Sequence, residues 1–248
     1  MLSKNTLKFI KSLQQKKFRK LENAFFVEGG KNVAELLESD FEVKHLLYTE
    51  KFEEEFPRLL NKFKGNKYLV NAQTLEAAGT FQSNDSALAV AKTMPNAAPS
   101  IRQNEWVIAL DEVRDPGNLG TIIRIADWYG IKQLILSEEC AEFYNPKVLH
   151  ASMGSFTRVK VFYVDLIDYF KSSNLPVYGA FLDGKSVYES NFTESGILLM
   201  GNESQGISKR LEPFVKNRVT IPRFGLAESL NVAIATAVIC DNIRRTKS

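Results

Sequence analysis

Cysteine and histidine are scarce in this chain of 248 residues, with two of each. Cys140 and Cys240 show no CxxC or Cys/His ligand spacing, which argues against a disulfide framework and a zinc site and leaves two buried, reduced thiols as the expectation. Long apolar runs are missing too: no stretch is long enough to cross a bilayer, and the N-terminal MLSKNTLKFIKSL lacks the apolar core of a signal peptide. A cytoplasmic protein without a membrane partner is therefore expected, and the sequons at Asn191 and Asn202 read as chance matches to a glycosylation signal. The dinucleotide fingerprint GxGxxG is absent. Acidic residues are absent from positions 1–20, where Lys4, Lys8, Lys11, Lys16, Lys17, Arg19 and Lys20 stand. The net charge of +3 is too small to argue for nucleic acid, so that basic segment carries whatever electrostatic signal exists. Lys4, Lys8 and Lys11 fall on one helical face, either a phosphate-binding stripe or a solvated surface.

What is present is α/β alternation. Strands are expected at 24–29, 43–50, 67–71 and 86–92, with helices at 30–39, 59–63 and 74–79, which makes a small α/β domain over residues 1–95. His45 lies inside an apolar strand and reads as a packed neutral side chain. The stretch 93–104, with two prolines and small residues, marks a linker at residues 96–104. A second domain over 105–248 opens with WVIALDEV, a continuous apolar run suited to a buried parallel strand. A helix is expected from Leu119 to Tyr129, and others at 145–153 and 165–173. Further strands are expected at 133–137, 158–164, 177–182 and 196–201. The stretch RVTIPRFGLAESLNVAIATAVICDNIRR then reads as strand, tight loop and apolar helix, with Glu228 or Ser229 at the helix N-terminus.

Arg124 stands among Ile122, Ile123, Ile125 and Ala126, where an unpaired guanidinium facing the core would be costly. It reads as either a functional cation or half of an ion pair with Asp111 or Glu203, and Asn118 as either its companion or a helix cap. Ile221 and Leu230 read by themselves as plain core. Residues 179–186 satisfy the phosphate-loop pattern GxxxxGK[ST], but Ala180–Leu182 continue a strand and SVYESNF makes a poor helix, so Asp183-Gly184 is read as a turn.

Three of these stretches, DPGNLGTIIRIADWYG (115–130), LLMGNESQGIS and IPRFGLAESLNVAIATA, stand in the order of the motifs of the SpoU (TrmH-like) family of RNA ribose 2′-O-methyltransferases, which this chain resembles over roughly residues 105–245. FFVEGGKNVAELL (25–37) more weakly resembles the substrate-binding domain that often precedes it. The resemblance implies a C-terminal domain of the SPOUT class, with a mostly parallel sheet and a deep trefoil knot, and a homodimer through that domain, with Val232, Ala235, Val238 and Ile239 of the last helix in its interface.

It further implies methyl transfer from S-adenosylmethionine to a ribose 2′-OH, on ribosomal or transfer RNA, with ribosomal RNA favoured by the two-domain layout; a non-catalytic RNA-binding protein of the same fold is the alternative. By that resemblance Arg124, Asn118, Glu203, Ser229 and Asn231 form the catalytic set, and Gly201, Ile221 and Leu230 hold the cofactor. Lys16, Lys17, Arg19, Lys20 and Glu28 contact RNA, and no metal is required. Arg223 departs from the Met that many relatives carry after Ile-Pro, and could add a phosphate contact. His150 lies near the site in sequence order only, while Ser152 and Gly154 match a lesser signature of the family, a substrate-side or packing feature.

Overall fold

This computed structural model describes residues 2–97 and 105–245, so residues 98–104 of the expected linker lie outside the described residues. Two compact units emerge: Met1–Pro95 together with Glu142–Arg158, and Asn96–Ala141 together with Val159–Ser248. The first unit runs α1 (Lys4–Ser12), α2 (Lys16–Glu22), β1 (Ala24–Glu28), α3 (Gly30–Leu37), β2 (Val43–Tyr48), α4 (Glu50–Glu55), α5 (Pro57–Lys62), β3 (Asn66–Leu69), α6 (Ala72–Ala78) and β4 (Ala87–Lys92). Its sheet has the order β1-β4-β2-β3, antiparallel except for the parallel β2–β3 pair. Ser3 caps α1 by accepting from the Thr6 amide, and the helix turns Ile10 inward while Lys4, Lys8 and Lys11 stay in water. Ile10, Leu13, Phe26, Leu47, Leu75, Leu88 and Val90 form one core. Emptying a site such as Phe26 with alanine would cost about 3–5 kcal/mol.

The second unit continues with β5 (Trp106–Leu110), α7 (Pro116–Trp128) and β6 (Gln133–Leu136). Residues 142–158, part of the expected second domain, pack within the first unit. Their helix α8 (Pro146–Ser152) is flanked by Tyr144 and Phe156, whose rings pack on Phe25 and Phe41 of that unit. The second unit resumes with β7 (Lys160–Tyr163), α9 (Leu166–Ser172), β8 (Val177–Ser186), β9 (Gly196–Met200), β10 (Asn217–Thr220) and α10 (Val232–Arg245). Its six strands, in the order β10-β8-β9-β5-β6-β7, are all parallel. Every residue of the central strands β5 and β9 is buried, the reason their sequences are continuous apolar runs rather than alternating ones.

Two local expectations change. Asp183-Gly184 does not end the strand: β8 runs on to Ser186, and its pairing with β10 jumps from Gly179 opposite Arg218 to Lys185 opposite Val219. The intervening residues bulge outward, with Asp183 paired to Arg218 and the Arg218 guanidinium 3.8 Å over the Phe181 ring. The phosphate-loop pattern is thus a register break in β8, beside the edge strand β10, followed by no helix. The last helix begins at Val232, beyond Glu228 and Ser229, because Asn231 caps it. Val232 and Ile239, expected at a dimer interface, are buried within this chain, whereas Ile234 is exposed. No described helix is long and apolar enough to cross a membrane.

Candidate active site

In parallel α/β sheets ligands gather beyond the carboxyl ends of the strands, and in this unit β5 and β9 end side by side. Just past β5, the Asp111 amide donates to the Met200 carbonyl at 2.9 Å, and the Asp111 carboxylate is 1% exposed. Its Oδ2 accepts from the Ser208 amide at 2.7 Å, while Arg210, which also reaches Glu139, comes within 4.0 Å of Oδ1. Asn202 closes the loop after β9. Its Nδ2 donates to the Glu112 carbonyl at 2.8 Å, its Oδ1 accepts from the Ser204 and Gln205 amides, and its backbone pairs in both directions with Gly206. Gly206 supplies the positive φ of 68° that this turn requires. A Cβ on Gly201 would land on the backbone of Gly206 and Ile207, so only glycine lets the two limbs of the loop meet.

The loop presents Glu203 to the start of α7. Asp115 caps that helix through the Asn118 amide, with Pro116 in the first turn, which frees the Asn118 side chain from the capping role open to it in the sequence. Asn118 Nδ2 donates to Glu203 Oε1 at 2.9 Å, and Asn118 Oδ1 accepts from Asn231 Nδ2 at 2.8 Å. Asn231 Oδ1 in turn accepts from the Ala233 and Ile234 amides at the start of α10. An ionised carboxylate only accepts and a backbone amide only donates, so the orientation of both side-chain amides is dictated from the two ends of this chain of bonds. The structure therefore brings together three of the five residues expected to be catalytic, Asn118, Glu203 and Asn231.

Arg124 corrects the sequence reading. It does not face the core: its side chain is exposed on α7, and among the described residues neither Arg124 nor Ser229 has a side-chain hydrogen bond or ion pair. Helix geometry explains this, since Ile122, Ile123 and Ala126 take the buried face and leave Arg124 outside it. Ile221 is half-buried and Leu230 exposed, neither of them plain core. From residue 221 to 230 there is no backbone–backbone hydrogen bond among the described residues.

Two residues expected at RNA are occupied inside the first unit. Arg19 is 2% exposed; it is paired with Glu142 and donates to the carbonyls of Leu13 and Gln14 at 2.8 Å each. Glu28 is buried, accepting from the Thr80 and Phe81 amides and the Thr80 hydroxyl. Both side chains are bound to satisfy buried partners and cannot also hold phosphate. Lys16, Lys17 and Lys20 are exposed. His150 is exposed in the first unit with its ring edge-on to Phe81, and His45, half-buried against Tyr68, has its pKa lowered by burial and then by Lys44. Both cysteines are free and buried, and burial raises Cys140 to about 11 and Cys240 to about 12. The sequence reading missed Ser208, the tie of Asp111 to it, and the turn-closing role of Asn202. The run Asn-Glu-Ser-Gln-Gly after an apolar strand was the available signal for that turn.

Residues 105–241 match the SpoU rRNA Methylase family, and residues 4–89 match the MRM3-like substrate binding domain. Among curated proteins, the chain is 33% identical over 238 residues to the 23S rRNA (guanosine(2553)-2′-O)-methyltransferase of Bacillus subtilis, a match that covers 94% of each chain. Among solved structures, a TrmH-family protein from Porphyromonas gingivalis superposes with a TM-score of 0.86 at 38% identity, covering 100% of both chains. An AdoMet-bound rRNA methyltransferase from Sinorhizobium meliloti superposes with a TM-score of 0.87 at 29% identity, covering 99% of this chain and 96% of that one. The all-parallel sheet, the linked Asn118, Glu203 and Asn231, and these full-length matches agree: the chain belongs to the SpoU rRNA methylase family.

Proposed function

We propose that this protein transfers a methyl group from S-adenosylmethionine to a ribose 2′-OH of RNA, with ribosomal RNA as the substrate class. The observation that carries the reading is the hydrogen-bonded row Glu203–Asn118–Asn231 at the carboxyl ends of a parallel sheet, with the exposed Arg124 on the same helix as Asn118. The 23S ribosomal RNA substrate of the B. subtilis relative supports ribosomal over transfer RNA, although a relative acting on guanosine 18 of tRNA, from Aquifex aeolicus, is 30% identical over 154 residues. A cytoplasmic location is part of the same proposal.

The residues present fit the cofactor. The unpaired backbone of residues 221–230 offers donors and acceptors for a base edge, half-buried Ile221 and exposed Leu230 offer apolar contact, and Gly201 keeps the neighbouring loop compact. When bound, S-adenosylmethionine supplies an activated methyl group on a sulfonium, so the protein's contribution is positioning. Methyl transfer forms a carbon–oxygen bond at the 2′-oxygen, breaks the carbon–sulfur bond and releases the hydroxyl proton. The Arg124 side chain offers a fork of N–H donors and no acceptor. Its role in this reading is to hold the phosphate beside the ribose and orient the hydroxyl toward the methyl, with the proton passing to that phosphate or to solvent. Glu203, Asn118 and Asn231 hold the two loops in register, and Ser229 adds a hydroxyl for the acceptor ribose.

Lys16, Lys17 and Lys20, with the stripe of Lys4, Lys8 and Lys11, are the phosphate contacts of the first unit in this reading. A homodimer through the second unit is supported by the exposed Trp128 of α7 and Ile234 of α10, large apolar side chains that a second copy would cover. The trefoil knot of the family is part of the same proposal. The test is transfer of labelled methyl from S-adenosylmethionine to unmodified total RNA by wild type and Arg124→Ala, followed by nucleoside identification. Label in a 2′-O-methylnucleoside from wild type alone is the expected result; wild type that binds cofactor yet labels no RNA would favour a non-catalytic RNA-binding protein.

A further inference from the structure

The segment between β10 and α10 leaves two large apolar side chains almost wholly in water. Phe224 is 92% exposed and Leu226 is 100% exposed. Arg223, beside Phe224, is exposed too, and its one side-chain bond is a 3.5 Å contact from Nη1 to the Ala227 carbonyl. The segment is nonetheless anchored at both ends. Thr220 accepts from the Val187 amide at 2.9 Å, and Asn231 is held by Asn118 and by its cap on α10. An aromatic ring and a guanidinium therefore project from a loop whose far end belongs to the catalytic row.

We propose that Phe224 recognises the substrate by stacking on a nucleobase at or next to the methylated nucleotide, while Arg223 contacts the adjoining phosphate. This rests on the reading of the site as an RNA 2′-O-methyltransferase. Sequence-selective RNA recognition works on nucleotides splayed out of their stack, and a base so exposed needs a new flat apolar surface. An unpaired ring supplies that surface, and stacking on it tolerates any base. The adjoining cation argues against a second copy: a purely apolar contact between copies would gain from Phe224 and Leu226 but has no use for a guanidinium beside them, whereas every nucleotide brings a phosphate with its base.

The experiment uses the full chain, unmodified ribosomal and transfer RNA transcripts, and the variants Phe224→Ala, Phe224→Trp and Arg223→Ala. Steady-state methyl transfer is measured on whichever transcript wild type labels, together with cofactor affinity by calorimetry and mass by light scattering. With one stacked base at stake, Phe224→Ala is expected to raise the KM for RNA about tenfold or more, with cofactor affinity and mass unchanged. Phe224→Trp is expected to restore the wild-type KM and to show RNA-dependent fluorescence quenching beyond that of wild type. Arg223→Ala is expected to weaken RNA binding and to make it less sensitive to salt. Unchanged RNA kinetics in Phe224→Ala beside an active wild type would overturn this proposal alone. Weakened cofactor binding would identify a cover over the cofactor, and a changed mass would identify a contact between copies; either result overturns the stacking role. A wild type that labels neither transcript would remove the functional reading and this proposal together.

Discussion

The side chain of Asn231 donates through Nδ2 to Oδ1 of Asn118 at 2.8 Å, joining the cap of the last helix to the first turn of α7. Because Asn118 also donates to Glu203, each of the three needs its own donor and acceptor pattern. Asn118→Asp replaces the donor facing Glu203 with a second carboxylate, and Asn231→Asp removes the donor facing Asn118. Either change is expected to lower kcat/KM at least a hundredfold, a transition-state loss of about 2.7 kcal/mol or more. Asn231→Ala also removes a helix cap and should cost about 1 kcal/mol of stability. Kinetics and denaturant unfolding of the same preparations separate the two effects.

Arg124 is exposed and unpaired among the described residues, so its removal leaves no buried partner stranded. Arg124→Ala and Arg124→Lys are expected to shift stability by less than about 0.5 kcal/mol while abolishing methyl transfer. Lysine fails in this reading because it lacks the planar fork that holds a phosphate in two places. Full activity in Arg124→Lys would rule out bidentate holding.

The two classes of basic residue near the N-terminus should behave oppositely. Arg19→Ala strands Glu142 and leaves the carbonyls of Leu13 and Gln14 without their donor, so it is expected to destabilise the protein by about 3–5 kcal/mol. Lys16→Ala, Lys17→Ala and Lys20→Ala, all at exposed positions, should leave the melting temperature unchanged and make RNA binding weaker and less sensitive to salt. Thermal melts and binding measured across a salt series distinguish the two groups.

Gly201→Ala places a methyl group on the backbone of Gly206 and Ile207, which cannot move aside as a side-chain tip can. The loop carrying Glu203 must shift, and cofactor affinity is expected to fall at least tenfold while the rest of the fold persists. Calorimetric titration with S-adenosylmethionine provides the measurement, and wild-type affinity would refute the tight-approach argument.

Burial raises the thiols from an ordinary 9.0 to about 11 at Cys140 and about 12 at Cys240. The unfolded chain gives up these protons near pH 9 while the folded chain retains them, so folding stability is complete below pH 9 and falls as pH rises from 9 toward 12. Over the whole range Cys140 contributes up to roughly 3 kcal/mol to that fall and Cys240 up to roughly 4 kcal/mol. Unfolding by denaturant at pH 8 and pH 10.5 should show the loss, and Cys240→Ala should remove about half of it. A thiol reagent should find neither cysteine until the chain unfolds.

Much of the architecture was legible locally. The apolar run 106–113 reads as a buried parallel strand and 196–201 as a strand, and they hold the two central strands; the apolar segment ahead of the C-terminus reads as a helix and is one. Motif order was equally plain, because Gly201, Arg124 and Asn231 sit in short contiguous signatures that need no partner to be seen. Hydropathy alternation and turn residues act over a few positions, which is why such features survive in a one-dimensional reading.

What each residue touches was decided elsewhere. Asn118 meets Glu203 and Asn231 from 85 and 113 positions away, and Arg19 meets Glu142 from 123. Nothing near Arg19 in the chain separates it from Lys16, Lys17 and Lys20, yet only Arg19 is buried, because Glu142 and two carbonyls await it there. Nor does composition assign residues 142–158 to the first unit; the aromatic faces of Phe25 and Phe41 do so. The sequence by itself determined the strands, the helices and the chemical groups on offer, since those follow from local periodicity. Only the tertiary structure decided which groups became an active site and which became internal supports, because a polar side chain's role is set by the partners that satisfy it, and those partners are distant in sequence.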